Sequence, residues 1–327
     1  MKKWYFNDGL LSMNRFIFRF RQFGGMELIK EYARKGVLFF AIGQFLSVVC
    51  RRKSLSQADS AIRRKISPAL KEEFYPVMKS INEKYVKAQL KQERSNKVWF
   101  CWLQGLDDAP EIVKVCYNSL KRNLTDREII VLTNDNLNDY VSFPDHIMEK
   151  YEKGIIDKTK LSDLARLELL IKYGGSWIDA TVFCSSSDYP KDILDCDLFV
   201  FQLVRKDYSG FVGLSSWFIT ACTNNKILLI LRDMHYEYWK RYDCVIDYFI
   251  FHLFFTMIAR EYQEEIKIMP KYSNRWPLLL GTRLADDYDE DWLKKLYQCT
   301  CFHKLTYRLK NHADRPGTFY DMLIHQK

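Results

Sequence analysis

No apolar run in this chain is long enough to cross a bilayer as a helix, which takes about 20 residues. The nearest, Val37 to Cys50, covers 14 residues and is interrupted by Gln44. It also lies too far from Met1 to read as a secretory signal. Paired cysteine spacing is missing as well: the nine cysteines stand scattered at 50, 101, 116, 184, 196, 222, 244, 299 and 301, without a CxxC. That pattern excludes a disulfide-rich secreted framework and reads as reduced thiols in a cytoplasmic setting. There is no zinc-finger spacing, helix-turn-helix signature or RNP-like aromatic strand, so nucleic acid is not an expected partner. Repeats and low-complexity stretches are absent too.

What the chain does have is uneven charge. Residues 1–95 hold 20 Lys/Arg against 8 Asp/Glu and residues 96–327 hold 30 against 33, so a segment of +12 precedes a body of −3. Such a segment is drawn to an anionic membrane surface or a polyanion, the inner face of the cell membrane being the membrane surface it suits. Val37 to Cys50 sits between Arg34-Lys35 and Arg51-Arg52-Lys53. It suits either a helix lying in the headgroup region or a buried core helix. Residues 1–95 read as a basic helical accessory region, poor in proline, with a helix start predicted at Ser67-Pro68.

From Lys97 onward short apolar runs alternate with helical stretches, which predicts an α/β domain over 96–327 with a mostly parallel central sheet. Val98 to Trp102 and Glu128 to Leu132 read as the first two strands, with helices from about Glu111 to Leu120 and Pro144 to Lys153. Ligands of such sheets lie beyond the carboxyl ends of the strands, so Trp102, Gln104 and Gly105 are predicted to border a pocket.

The most informative stretch runs from Asp157 to Thr181. Leu161, Leu164, Leu167 and Ile171 fall at helical spacing, Thr159 is a predicted N-cap, and Gly174-Gly175 supplies the left-handed stop. Asp163 and Arg166 share another face, one turn apart. The strand Ser176 to Asp179 then leaves one carboxylate at its carboxyl end, where a diphosphate and its metal ion need a hard oxygen ligand.

With Trp102-Leu103-Gln104-Gly105, Ala109-Pro110, Cys116 to Leu120, Ser162 to Arg166 and Tyr173 to Thr181, the chain resembles bacterial capsular polysaccharide synthesis proteins. These are related to glycosyltransferases whose DxD motif follows a Tyr-Gly-Gly turn. The resemblance implies a GT-A fold and a nucleotide-sugar donor bound around Gly174, Gly175, Trp177, Ile178 and Asp179. It also implies transfer, with retention, to a polysaccharide, oligosaccharide or glycolipid. Asp179, Asp163 and Arg166 are then the expected catalytic residues. Mn2+ or Mg2+ is the expected cofactor, held by Asp179 and His303, with Lys304 on the donor phosphates. Thr181 stands where the wider group has a second carboxylate. The competing reading is therefore a membrane-associated glycan-assembly or binding protein on the same fold. Asp247 is a weaker candidate for the acceptor side and Trp217 for sugar stacking, while Asp247 and His252, five residues apart, fall on different faces of a helix and are not expected to form a dyad.

Overall fold

The computed structural model describes residues 20–50, 52–88, 90–202, 213–309 and 314–325. Two compact units share the chain discontinuously: 1–87, 143–161 and 230–258 form one, and 88–142, 162–229 and 259–327 the other. The first break falls between 87 and 88, and two later segments, 143–161 and 230–258, belong to the first unit.

Helices Met26–Arg34, Leu38–Val49, Leu55–Ala88 and Asp145–Glu152 make up much of the first unit. Ser67-Pro68 is not a helix start, because helix Leu55–Ala88 runs through Pro68 and Pro76. An interior proline costs about 3 kcal/mol through a lost donor and a crowded turn. Against that, Ile66, Leu70, Phe74 and Met78 lie every fourth residue and are fully buried, each contributing roughly 1.5–3 kcal/mol. Phe74 packs on the rings of Tyr238, Tyr242 and Phe254 at centroid distances of 6.1, 6.3 and 4.8 Å. Ser67 Oγ donates to the Arg63 carbonyl one turn back.

The second unit holds a five-stranded sheet, ordered β2-β1-β3-β6-β5. Its strands are β1 (Lys97–Cys101), β2 (Glu128–Leu132), β3 (Gly175–Ile178), β5 (Leu198–Gln202) and β6 (Leu214–Ala221), with β4 (Val182–Cys184) and β7 (Phe302–Lys304) forming a separate antiparallel pair. β2 and β3 flank β1 in parallel, whereas β6 runs antiparallel to both β3 and β5. The sheet is thus mixed, with four strands pointing one way and β6 reversed. Parallel neighbours need covered faces, and the apolar runs meet that need: Val98, Trp99, Phe100, Ile178, Phe199 and Phe218 are all fully buried.

Glycine permits the β1–β3 pairing. Gly175 has φ +89°, and a Cβ on it would lie 2.2 Å from the Lys97 carbonyl oxygen. The helix before it, Lys158–Tyr173, is capped by Asp157 rather than by Thr159, since the Asp157 carboxylate accepts from the Lys160 backbone N–H at 2.8 Å. Thr159 falls inside the first turn, and the cap position is the one whose oxygen meets the N–H three residues on.

Candidate active site

Asp179 follows the last residue of β3, at the same edge of the parallel strands where β1 ends in Cys101. Its backbone N–H donates to the Trp217 carbonyl at 2.9 Å and its carbonyl accepts from Val182 at 2.9 Å, so the carboxylate stands on a turn fixed at both ends. Alternation along the strand puts Trp177 on the side of Asp179, and the Trp177 indole N–H donates to Asp179 Oδ1 at 2.9 Å. Ile178 faces the other way, into the apolar core.

Arg166 reaches this edge from its helix. One terminal nitrogen lies 3.1 Å from Asp163 Oδ1 and 3.9 Å from Asp179 Oδ1. The other donates to the Ser216 carbonyl, and Nε to the Ser162 carbonyl. Its guanidinium carbon stands 5.0 Å from the Trp177 ring centroid. Arg166 and Asp163 are buried, so the predicted pair does converge on Asp179, with Asp163 orienting the arginine. Ser162 and the Ser216 carbonyl were not legible as partners, although a serine one turn before an arginine is a usable signal.

Lys304 arrives from β7. Its ammonium lies 3.2 Å from Asp179 Oδ2 and donates to the Thr181 hydroxyl. The Leu305 N–H donates to the Thr181 carbonyl at 2.7 Å, tying the two chain segments together. Gly281 lets helix Arg275–Thr282 press on this strand, since a Cβ there would stand 2.4 Å from the Lys304 carbonyl oxygen. Ser119 and Asn123 anchor β4 behind the turn, bonding the backbone N–H and carbonyl of Cys184. That is a structural reason for the Cys116 to Leu120 phrase.

His303 is placed elsewhere. Neighbours on a strand face opposite ways, and His303 is fully buried against the rings of Phe183 and Tyr297, with Nε2 3.1 Å from Ser185 Oγ. Burial holds its imidazole down to about 3, so it is neutral near pH 7. In the unfolded chain the ring takes a proton near about pH 6.5, so the unfolded state binds more protons between these values and stability falls as pH drops through that window. The expected slope is about 1.4 kcal/mol per pH unit. His303→Phe should flatten it in urea unfolding measured at stepwise lower pH; an unchanged slope would reject the assignment.

Trp102 lies just past β1, edge-on to Tyr307 at 5.4 Å, and its indole Nε1 is buried without a hydrogen-bond partner among the described residues. Gln104 is exposed, and Gly105 makes the turn at φ +85°. Gly175 and Gly174 stand at the other end of β3 from Asp179, about 13 and about 17 Å away at roughly 3.3 Å per residue; Gly174 presents its carbonyl to the Trp99 indole. Trp217 stacks on Phe201 at 4.9 Å and bonds Asn274, a core position. In the other unit, Asp247 accepts from Arg63 Nε, and His252 packs on the rings of Phe249 and Phe251.

Cys101 ends β1 at the same edge. Burial pushes its thiol up to about 12, so it stays protonated and is no nucleophile. For a divalent cation, no three His, Cys, Asp or Glu side chains converge among the described residues. With His303 in the core, the donor set fits a cation that brings its own oxygens and takes Asp179 as its carboxylate, not one caged by protein.

Among solved structures the chain is similar to the PaToxG glycosyltransferase, at 15% identity and TM-score 0.34, over 79% of this chain and 96% of that one. None of the curated proteins matches it. The family model of capsular polysaccharide synthesis proteins matches residues 44–323, and by that match the chain belongs to the capsular polysaccharide synthesis protein family.

Proposed function

We propose that this chain is a nucleotide-sugar-dependent glycosyltransferase. It moves a sugar, with retention of configuration, to a polysaccharide, oligosaccharide or glycolipid in surface polysaccharide synthesis. The observation that carries the reading is the convergence of Asp179, Arg166 and Lys304 at the carboxyl edge of the parallel strands. Two cations and a carboxylate held by partly buried bonds are a preorganised field for a leaving diphosphate, and such fields supply much of an enzyme's rate enhancement.

In this mechanism Arg166 and Lys304 face the diphosphate, and Asp163 positions Arg166. The Trp102 indole N–H, buried without a partner among the described residues, is the donor offered to the nucleotide; an unmatched buried donor costs about 1–3 kcal/mol. Asp179 is the residue that would hold a Mg2+ or Mn2+ ion, as its single protein carboxylate. When bound, that ion neutralises charge on the departing diphosphate. The basic segment 1–95 holds the enzyme to an anionic membrane surface on the cytoplasmic side.

The test is a panel of nucleotide sugars with purified protein, read as nucleoside diphosphate release and as product anomer by NMR. Release with one donor and a retained anomer are expected. Chelation should lower turnover at least about tenfold, with recovery on adding manganese. Turnover indifferent to chelation would remove the ion from the scheme. Donor binding without turnover on any acceptor would favour a binding protein, the reading that Thr181 prompts.

A further inference from the structure

Helix Leu38–Val49 has two apolar faces, and only one of them is packed. Ala41, Gln44 and Val48 point inward, with Gln44 bonded to the Lys53 ammonium at 2.7 Å. Phe39, Ile42, Leu46 and Val49, at steps of three and four, form an outward stripe; Phe39 is 87% exposed and Leu46 53%. No polar side chain interrupts that stripe; the exposed Arg52 and Lys53 lie just past the helix end, and Arg34, ion-paired with Glu31 at 2.6 Å, ends the preceding helix. An apolar stripe bounded by cations matches the boundary between acyl chains and anionic headgroups of a bilayer.

Against the same helix lies a partly open pocket of about 520 Å³ within the helical unit, lined by Ile42 of the stripe itself and by Phe45, Ala58, Ile62 and Tyr248 among others. An apolar cavity of roughly 150 Å³ already takes a benzene-sized guest. This one is several times larger. Of its charged lining groups, Arg63 and Asp247 neutralise each other, with Arg63 Nε 3.0 and 2.9 Å from the two carboxylate oxygens and the guanidinium over the Phe249 ring at 4.3 Å. Asp59 also contributes to the lining. With its arginine already paired, the interior suits a hydrocarbon chain rather than an ionic ligand.

We propose that the helical unit docks on a bilayer of anionic phospholipid through the outward face of helix Leu38–Val49 and takes one acyl chain of such a lipid into the pocket against it. The proposal rests on the membrane partner assigned above and not on the transfer chemistry. The full chain is tested by co-sedimentation with vesicles of phosphatidylglycerol and phosphatidylcholine in equal parts, against phosphatidylcholine alone. Phospholipid carried through purification is measured in parallel by mass spectrometry. Partition onto the anionic vesicles is expected to drop about tenfold or more in Phe39→Glu/Leu46→Glu, whose changes are on the surface. Ala58→Phe, or Ala41→Leu where the first does not fold, should keep that partition and lose the co-purifying phospholipid. Several outcomes overturn the proposal: partition unaltered by the stripe variant, no co-purifying phospholipid in the wild type, or a dimer in solution that the stripe variant dissociates without any change in vesicle binding. Failure of the wild type on both vesicle types would reject the membrane partner while leaving the donor panel's result standing.

Discussion

Asp179→Asn is expected to lower sugar transfer by about 10²–10³-fold, the effect of removing one preorganised electrostatic group from an active site. The substitution keeps shape and still accepts a hydrogen bond from the Trp177 indole, but it deletes the negative charge facing Lys304 at 3.2 Å and Arg166 at 3.9 Å. Stability should hardly move, because the Asp179 side chain is 26% exposed and pairs of that kind contribute about 1 kcal/mol or less. The loss is expected in kcat more than in KM if Asp179 acts on charge that develops as the diphosphate leaves. Circular dichroism and urea unfolding confirm the fold, and steady-state release of nucleoside diphosphate measures the effect. Turnover within about threefold of wild type would leave Asp179 a structural turn residue.

The second large effect belongs to Gly175→Ala, for which about 2–5 kcal/mol of destabilisation is expected. Positive φ costs a residue with a Cβ roughly 1–2 kcal/mol, and at φ +89° this position carries that cost. Overpacking adds about 1–3 kcal/mol, here because the new methyl would stand 2.2 Å from the Lys97 carbonyl oxygen. Relief requires β1 and β3 to separate at Val98↔Ser176 and Trp99↔Trp177, where both tryptophans are buried. Gly174→Ala is the milder control, since its nearest neighbours would be 3.3 Å away. Urea midpoints for the two variants decide the matter. A Gly175→Ala protein within about 1 kcal/mol of wild type would mean that the strand pair is looser than its geometry implies.

Some elements were legible because their signals are local. The strand Glu128–Leu132 has the predicted bounds. The stripe of Leu161, Leu164, Leu167 and Ile171 is buried as its period requires. Pro68 misled because proline near a serine is a local start signal, whereas the long helix is held by aromatic packing from residues far along the chain. His303 misled for a similar reason: a histidine beside a lysine says nothing about which of the two faces the site, and strand alternation decides that they face opposite ways.

By itself, then, the sequence determined the helix stopped by two glycines, the short strand after it and the single carboxylate at that strand's end, since each depends on backbone preferences within a few residues. Only the tertiary structure decided what surrounds Asp179. Lys304 lies 123 residues from the Thr181 hydroxyl it bonds, and Arg166 meets the Ser216 carbonyl across 50 residues. No local preference encodes such meetings. They follow from the pairing of β4 with β7, which carries Lys304 to the edge of the sheet, and of β3 with β6, which places there the Ser216 carbonyl that holds Arg166.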